Sequence, residues 1–185
     1  MVISPKTSGG VLFEIDKFDF GLFNITNGVV QSQYWDSLLN DYTNTNSNYT
    51  FWSNTSMITT SFHGLGLPRL SYLKFTNQLK VLTQGKAQCV EQNGGICWLN
   101  NYCQNYNYLW QYSFRLRFAN STWSNYLNIP LSTFAQNQRF EGNNYCVFYI
   151  EGLNTDNAEG RSIILGSMFY QVFYVQYQYY GFNGQ

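Results

Sequence analysis

The single histidine, His63, closes a run of hydroxyl-bearing side chains, Thr59, Thr60 and Ser61, with Phe62 between. A hydroxyl beside an imidazole is the start of a nucleophile and its general base, and a lone histidine is also the natural pH sensor of a chain. The pair also needs a carboxylate to orient the imidazole, and no acidic residue lies near position 63 in the sequence. Ser61 or Thr60 activated by His63 is therefore the weaker expectation. The stronger is a partly buried imidazole with one hydrogen-bond partner. The triplet Asp19-Phe20-Gly21 spells a kinase motif, but no glycine-rich loop or His-Arg-Asp accompanies it.

Cysteines offer the second chemistry. Cys89, Cys97, Cys103 and Cys146 allow three disulfide pairings, and no Cys-x-x-Cys or histidine-containing ligand set accompanies them. Zinc is disfavoured, no metal or other cofactor is implied, and an oxidising compartment is the expectation. Asn24, Asn48, Asn54 and Asn120 each head an Asn-x-Ser/Thr triplet and are candidate glycosylation sites. An asparagine-rich chain produces such triplets by composition alone, so they are compatible with secretion without requiring it.

The elements that must position these residues are mostly strands. A chain of 185 residues buries about 70% of its extended surface, enough for one domain with a core. Aromatic and β-branched runs at Val11 to Ile15, Phe18 to Asn24, Phe51 to Thr60, Tyr112 to Phe118, Tyr126 to Leu131, Tyr145 to Ile150, Ser162 to Leu165 and Phe169 to Tyr180 are separated by Asn-Gly, Gly-Gly and Asn-Ser punctuation. One stretch differs: Leu70, Leu73, Phe75, Leu79 and Leu82 partly follow helical spacing, after Pro68 and before Gly85. The prediction is a short helix near 69–82 in an otherwise all-β chain. Asn-rich segments 40–49 and 84–107 read as loops, the second held by three of the cysteines.

Charged residues are 11% of the chain, aromatics 19%, and the formal net charge is zero. A nucleic-acid partner is excluded in this reading, because phosphate binding needs clustered Lys and Arg. A protein partner is expected instead, since a Tyr- and Phe-rich surface with little charge tends to associate. No apolar run approaches the roughly 18 residues of a membrane span, and the N-terminus lacks signal-peptide features. A secreted chain of this kind is expected to be the trailing part of a longer precursor.

Ile163-Ile164-Leu165-Gly166-Ser167-Met168-Phe169 resembles the closing motif of pepsin-like aspartic endopeptidases, in which apolar residues and a glycine precede a crossing strand. Other parts of that family's C-terminal lobe follow in order. Tyr34-Trp35 is similar to its opening pair, and Ser56 through Leu67-Pro68 to the stretch running from its catalytic turn to its helix. Phe114-Arg115-Leu116-Arg117-Phe118 resembles its strand before a hairpin, and Leu127-Asn128-Ile129-Pro130-Leu131 its apolar-Pro-Leu step.

This resemblance implies a single lobe of the acid-protease fold, closed and barrel-like, with one short helix. It implies residues 34–182 as the lobe, with 1–33 as N-terminal strands that meet another lobe or a partner. It also implies Cys103–Cys146 as the lobe's usual disulfide, leaving Cys89 with Cys97; Cys97–Cys146 is the rival. The family's catalytic Asp-Thr-Gly is degenerate in this alignment. Thr59 falls on the aspartate, Ser61 on the glycine, Phe62 on the outer threonine and His63 on the serine. Ser167 and Gln178 fall where two further aspartates are usual.

The chemistry needs two carboxylates, one from each lobe, sharing a proton across a water. A threonine hydroxyl cannot act as that base, and losing such a group costs on the order of 10² to 10⁴ in rate. The expectation is a non-enzyme: a pseudoprotease lobe of a secreted, extracellular or endomembrane-lumen assembly, with Leu165 and Gly166 kept for the fold. One alternative is half of a two-lobed endopeptidase whose other lobe is a separate chain or missing sequence. Another is an unrelated all-β glycoprotein of a filament or coat.

Overall fold

A computed structural model describes residues 5–6, 10–26, 29–38, 55–92, 94–118, 126–153 and 163–175. In chain order the strands are β1 (Pro5–Lys6), β2 (Gly10–Thr26), β3 (Val29–Ser37), β4 (Thr55–Thr59), β5 (Leu65–Pro68), β6 (Gln88–Cys89), β7 (Cys97–Asn100), β8 (Tyr112–Phe118), β9 (Leu127–Pro130), β10 (Ala135–Phe140), β11 (Asn143–Phe148), β12 (Ile150–Leu153) and β13 (Ile164–Leu165). Helix α1 is Arg69–Leu82, α2 is Ser167–Tyr170, and 3₁₀ segments lie at Cys103–Gln111 and Leu131–Phe134. The all-β class is as expected, and α1 starts and ends where its periodicity placed it.

Two sheets share one core. The larger runs β12-β5-β13-β4-β2-β8-β9, with β1 and β3 also on β2; the smaller runs β10-β11-β7-β6. The chain passes from small sheet to large at Tyr149, between β11 and β12. Among the described strands the path of the large sheet runs from β12 to β9 without the two pairing, and β1 and β3 branch off β2, so the expected closed barrel is corrected to two open sheets. Phe18, Phe20, Phe75 and Phe114 fill the space beneath α1, with Phe20 edge-on to Phe75 at 5.2 Å and Phe18 stacked on Phe114 at 5.5 Å. The helix turns Tyr72, Phe75 and Leu79 inward, at spacings of three and four. It closes on Gly85, whose φ of 79° is left-handed and whose N–H bonds to the Lys80 carbonyl at 2.7 Å.

Three expectations are corrected, and one strand was not foreseen. The aromatic run from Phe169 is not a strand: residues 167–170 form α2, and burial of the neighbours Met168 and Phe169 together, which a strand would send to opposite faces, overrides their β propensity. Positions 176–180 of that run lie outside the described residues, as does the 40–49 loop. Segment 84–107 is not merely loop, because β6, β7 and the start of a 3₁₀ segment form where Cys97, Leu99 and Cys103 are buried. The helix is not the only one. Finally β10, a polar Ala-Gln-Asn-Gln-Arg-Phe, carries no strand signal of its own; it is paired to β11 by a two-residue turn in which Glu141 (47°) and Gly142 (82°) both take positive φ.

Candidate functional site

The short β13 slides between β4 and β5. Ile164 and Leu165 pair in parallel with Met57 and Ile58, and antiparallel with Gly66 and Leu65. Thr59, the last residue of β4, thus stands beside Gly166, the residue after β13. Three successive amides lock the crossing to the intervening turn: Gly166 N–H to the Gly64 carbonyl (2.8 Å), Ser167 to Phe62 (2.7 Å) and Met168 to His63 (2.9 Å). A Cβ on Gly166 would lie 2.4 Å from the Phe62 carbonyl oxygen and 2.6 Å from that of Gly64, both backbone atoms. Only glycine allows this approach. Gly64 is held as tightly, its would-be Cβ 1.8 Å from the Tyr149 carbonyl oxygen.

Thr59 is buried, and its Oγ1 accepts the Ser61 N–H at 3.1 Å. That bond satisfies a turn donor, as a hydroxyl does at a chain reversal. Thr60 and Ser61 are exposed and Phe62 is half-buried. His63 is exposed rather than partly buried, which corrects the expectation: it is the backbone carbonyl, accepting the Met168 N–H, that is tied to the crossing, while the ring lies on the surface. Its ring packs edge-on against Tyr149 at 4.7 Å, and Nδ1 lies 3.3 Å from Ser167 Oγ. Ser167 Oγ also lies 3.2 Å from the His63 carbonyl. Having one proton, the hydroxyl donates it to the carbonyl, so Nδ1–H donates to Oγ in the neutral ring. The hydroxyl on the imidazole is therefore Ser167's, not that of Thr60 or Ser61, and it is a latch rather than a nucleophile.

The acidic residue missing from the neighbourhood in sequence arrives through the fold. Glu151 in β12 sits opposite Gly66 in the parallel pair with β5. Burial raises its carboxyl above the ordinary range, and the charge of His63 partly opposes that. Sequence reasoning missed it because only the pairing of β12 with β5 brings it near. Asp19 was likewise missed: discounted within a false motif, it is buried and ion-paired at 2.7 Å with Arg115, its register partner on β8. Arg115 lies over the Tyr126 ring at 4.4 Å.

Both disulfides follow the resemblance. Cys89 joins Cys97 across β6 and β7, and Cys103 joins Cys146, excluding the Cys97–Cys146 rival. Asn24 lies in β2 opposite Gln31. Asn48, Asn54 and Asn120 are outside the described residues, as is Gln178. Among the described residues no group of three or more His, Cys, Asp or Glu side chains could hold a metal. No described helix is long and apolar enough to cross a membrane.

A strand threaded between the two strands that flank a turn, closed on a glycine that no side chain could replace, defines a lobe of the acid-protease class. Consistent with this, the family profile of eukaryotic aspartyl protease matches residues 6–182, and the chain belongs to that family. No curated protein is significantly similar to it. Family membership removes the alternative of an unrelated coat or filament domain.

Proposed function

We propose that the chain is a non-catalytic aspartic-protease lobe, acting as a binding or structural component of a secreted or surface assembly. The observation that carries this reading is a crossing kept to backbone tolerance around a buried hydroxyl. Thr59, aligned in our reading with the family's carboxylate, accepts a backbone N–H and does not ionise at any ordinary pH, so it cannot serve as the general base. Thr60, Ser61, Phe62 and His63 complete the degenerate turn. The four cysteines, all paired, support a lumenal or extracellular location, where such bonds persist. Asn24, Asn48, Asn54 and Asn120 are the glycosylation candidates in that compartment. The proposed partner is a protein, either an N-terminal lobe or other subunits, met through the N-terminal strands of 1–33; β2 is built into the large sheet, so the contact falls to β3, which pairs with β2 alone among the described strands.

A peptidase assay of the purified chain at acidic pH, with pepstatin as control, tests the proposal. No inhibitor-sensitive cleavage is expected. Pepstatin-sensitive turnover would overturn it and favour the two-lobed enzyme. Thr59→Asp alone should not create activity, because a single carboxylate cannot share its proton with a second.

A further inference from the structure

The small sheet has two unlike faces. Cys97, Leu99, Cys146 and Phe148 point into the core, and the alternate residues of the same strands point outward. On that outer face Trp98 lies in register with Val147 on one side and Gln88 on the other, and Tyr145 with Asn100 and Gln138. Two open depressions lie on this face. One hollow of about 560 Å³ is lined by Trp98, Val147 and Phe140 together with Gln88, Asn100 and Gln138. A second of about 450 Å³ adjoins it, sharing Asn100 and Tyr145 and continuing over Asn143 and Asn144 to the hairpin turn at Gly142.

We propose that this groove binds a neutral oligosaccharide. A pyranose ring has an apolar C–H face and a rim of hydroxyls, and recognition needs an aromatic plane for the first and planar donor–acceptor groups for the second. Trp98, Tyr145 and Phe140 supply the planes, and Phe140 is 65% exposed at the rim. Gln88, Asn100 and Asn143 supply carboxamides able both to donate and to accept towards adjacent hydroxyls, and Gln138, whose Nε2 donates to the Tyr149 hydroxyl at 2.9 Å, adds its carbonyl oxygen and second N–H. Trp98 and Tyr145 stand on neighbouring strands two residues apart in register, a separation of about 7–8 Å that lets the rings serve successive sugar units.

Charge selects the ligand class. Neither hollow is lined by an Asp, Glu, Lys or Arg. An anionic glycan or a nucleic acid would find aromatic stacking here but no counter-charge for its carboxylates, sulfates or phosphates. A pocket with an apolar floor and a few convergent polar groups is the usual form of a small-ligand site. The inference is independent of whether the degenerate turn is inactive, since none of its residues lines either hollow.

Titration calorimetry of the full chain against maltohexaose, cellohexaose, mannohexaose and N-acetylated chitohexaose tests it, with a heparin hexasaccharide as the charged control. At least one neutral hexasaccharide should bind with a Kd of about 1 mM or tighter, and heparin should not. Trp98→Ala should weaken that binding at least about tenfold. Phe140→Ser, at an exposed rim position, gives a variant that folds even if Trp98→Ala does not, and should weaken binding severalfold. Val81→Ser, on the exposed face of α1, should leave it unchanged. Absence of binding by all four neutral sugars, or binding indifferent to both groove substitutions, overturns the proposal. So does a dimer of the unmodified chain that Phe140→Ser dissociates, because the face would then be covered by a second copy.

Discussion

The crossing of β13 and the disulfide-bonded sheet β10-β11-β7-β6 are held together by opposite means. At the crossing, order comes from backbone touching backbone: Gly64 and Gly166 have no room for a Cβ, three amides bond across the turn, and no covalent link is present. In the small sheet two disulfides do the holding, and one face stays open to solvent. The first region therefore tolerates replacement of its chemical groups, as long as their backbones still fit. The second tolerates side-chain change on its outer face, as long as its cysteines stay paired. A fold held by the first kind of constraint depends on the shape of its backbone rather than on the identity of its polar groups.

Substitution at the crossing is the severest way to break the contrast. Gly166→Ala should lower unfolding free energy by about 4 kcal/mol or more, because neither contacting atom is a side chain that can swing away. A urea midpoint close to that of the unmodified chain would mean that the turn yields and the contrast is false. Next comes the sheet. Replacing Cys103 and Cys146 by Ser should cost about 4 kcal/mol, for a sequence separation of 43 residues. Replacing Cys89 and Cys97 should cost about 2.5 kcal/mol for a separation of 8. Denaturant titration of the two double variants reads the order directly, and a reversed order would show that loop entropy does not govern this sheet.

A third substitution asks whether the large sheet has its own polar anchor. Arg115→Met leaves Asp19 buried and uncompensated and should cost about 3 kcal/mol, whereas Asp19→Leu with Arg115→Met should recover much of the loss. Full additivity of the two changes would mean that the pair is not coupled. The smallest effect belongs to Glu151→Gln. The folded-state pKa of Glu151 lies above its unfolded value, so the fold holds the proton more tightly and loses stability as pH rises through the folded value. The amide removes that loss. The variant should match the unmodified chain at pH 3 and exceed it slightly at pH 7; a variant less stable at pH 7 would mean the carboxylate is supported there.

How far these regions could be read beforehand follows from what kind of signal each one leaves. The crossing was legible because apolar-apolar-Gly near one end and Leu67-Pro68 before a periodic helix are constraints written locally, and α1 duly spans Arg69–Leu82. Thr59 beside Gly166 followed from the same order of motifs. Of the small sheet only β11 was legible, from the run Tyr145 to Ile150. β10 is polar on both faces, and its strand state comes from the register imposed by Glu141-Gly142, a turn pair less telling than Asn-Gly. Phe169 was misread because aromatic residues serve a buried helix as readily as a strand, and the four residues of α2 are too few to show a period. The Asp19–Arg115 pair and the approach of Glu151 to His63 depend on strand pairing across 96 and 88 positions, which no local pattern announces.

β2 bears on how such a chain comes into being. Its 17 residues lie against β4 with one half and against β8 with the other. The β8 partners end at Phe118, so this segment has left the ribosome long before the hydrogen bonds along much of its length can be made. At ordinary translation speed that wait is on the order of ten seconds. Through it β3 can cover only one edge of β2, and the opposite, aromatic edge stays unpaired, so the hazard this topology sets is aggregation during synthesis.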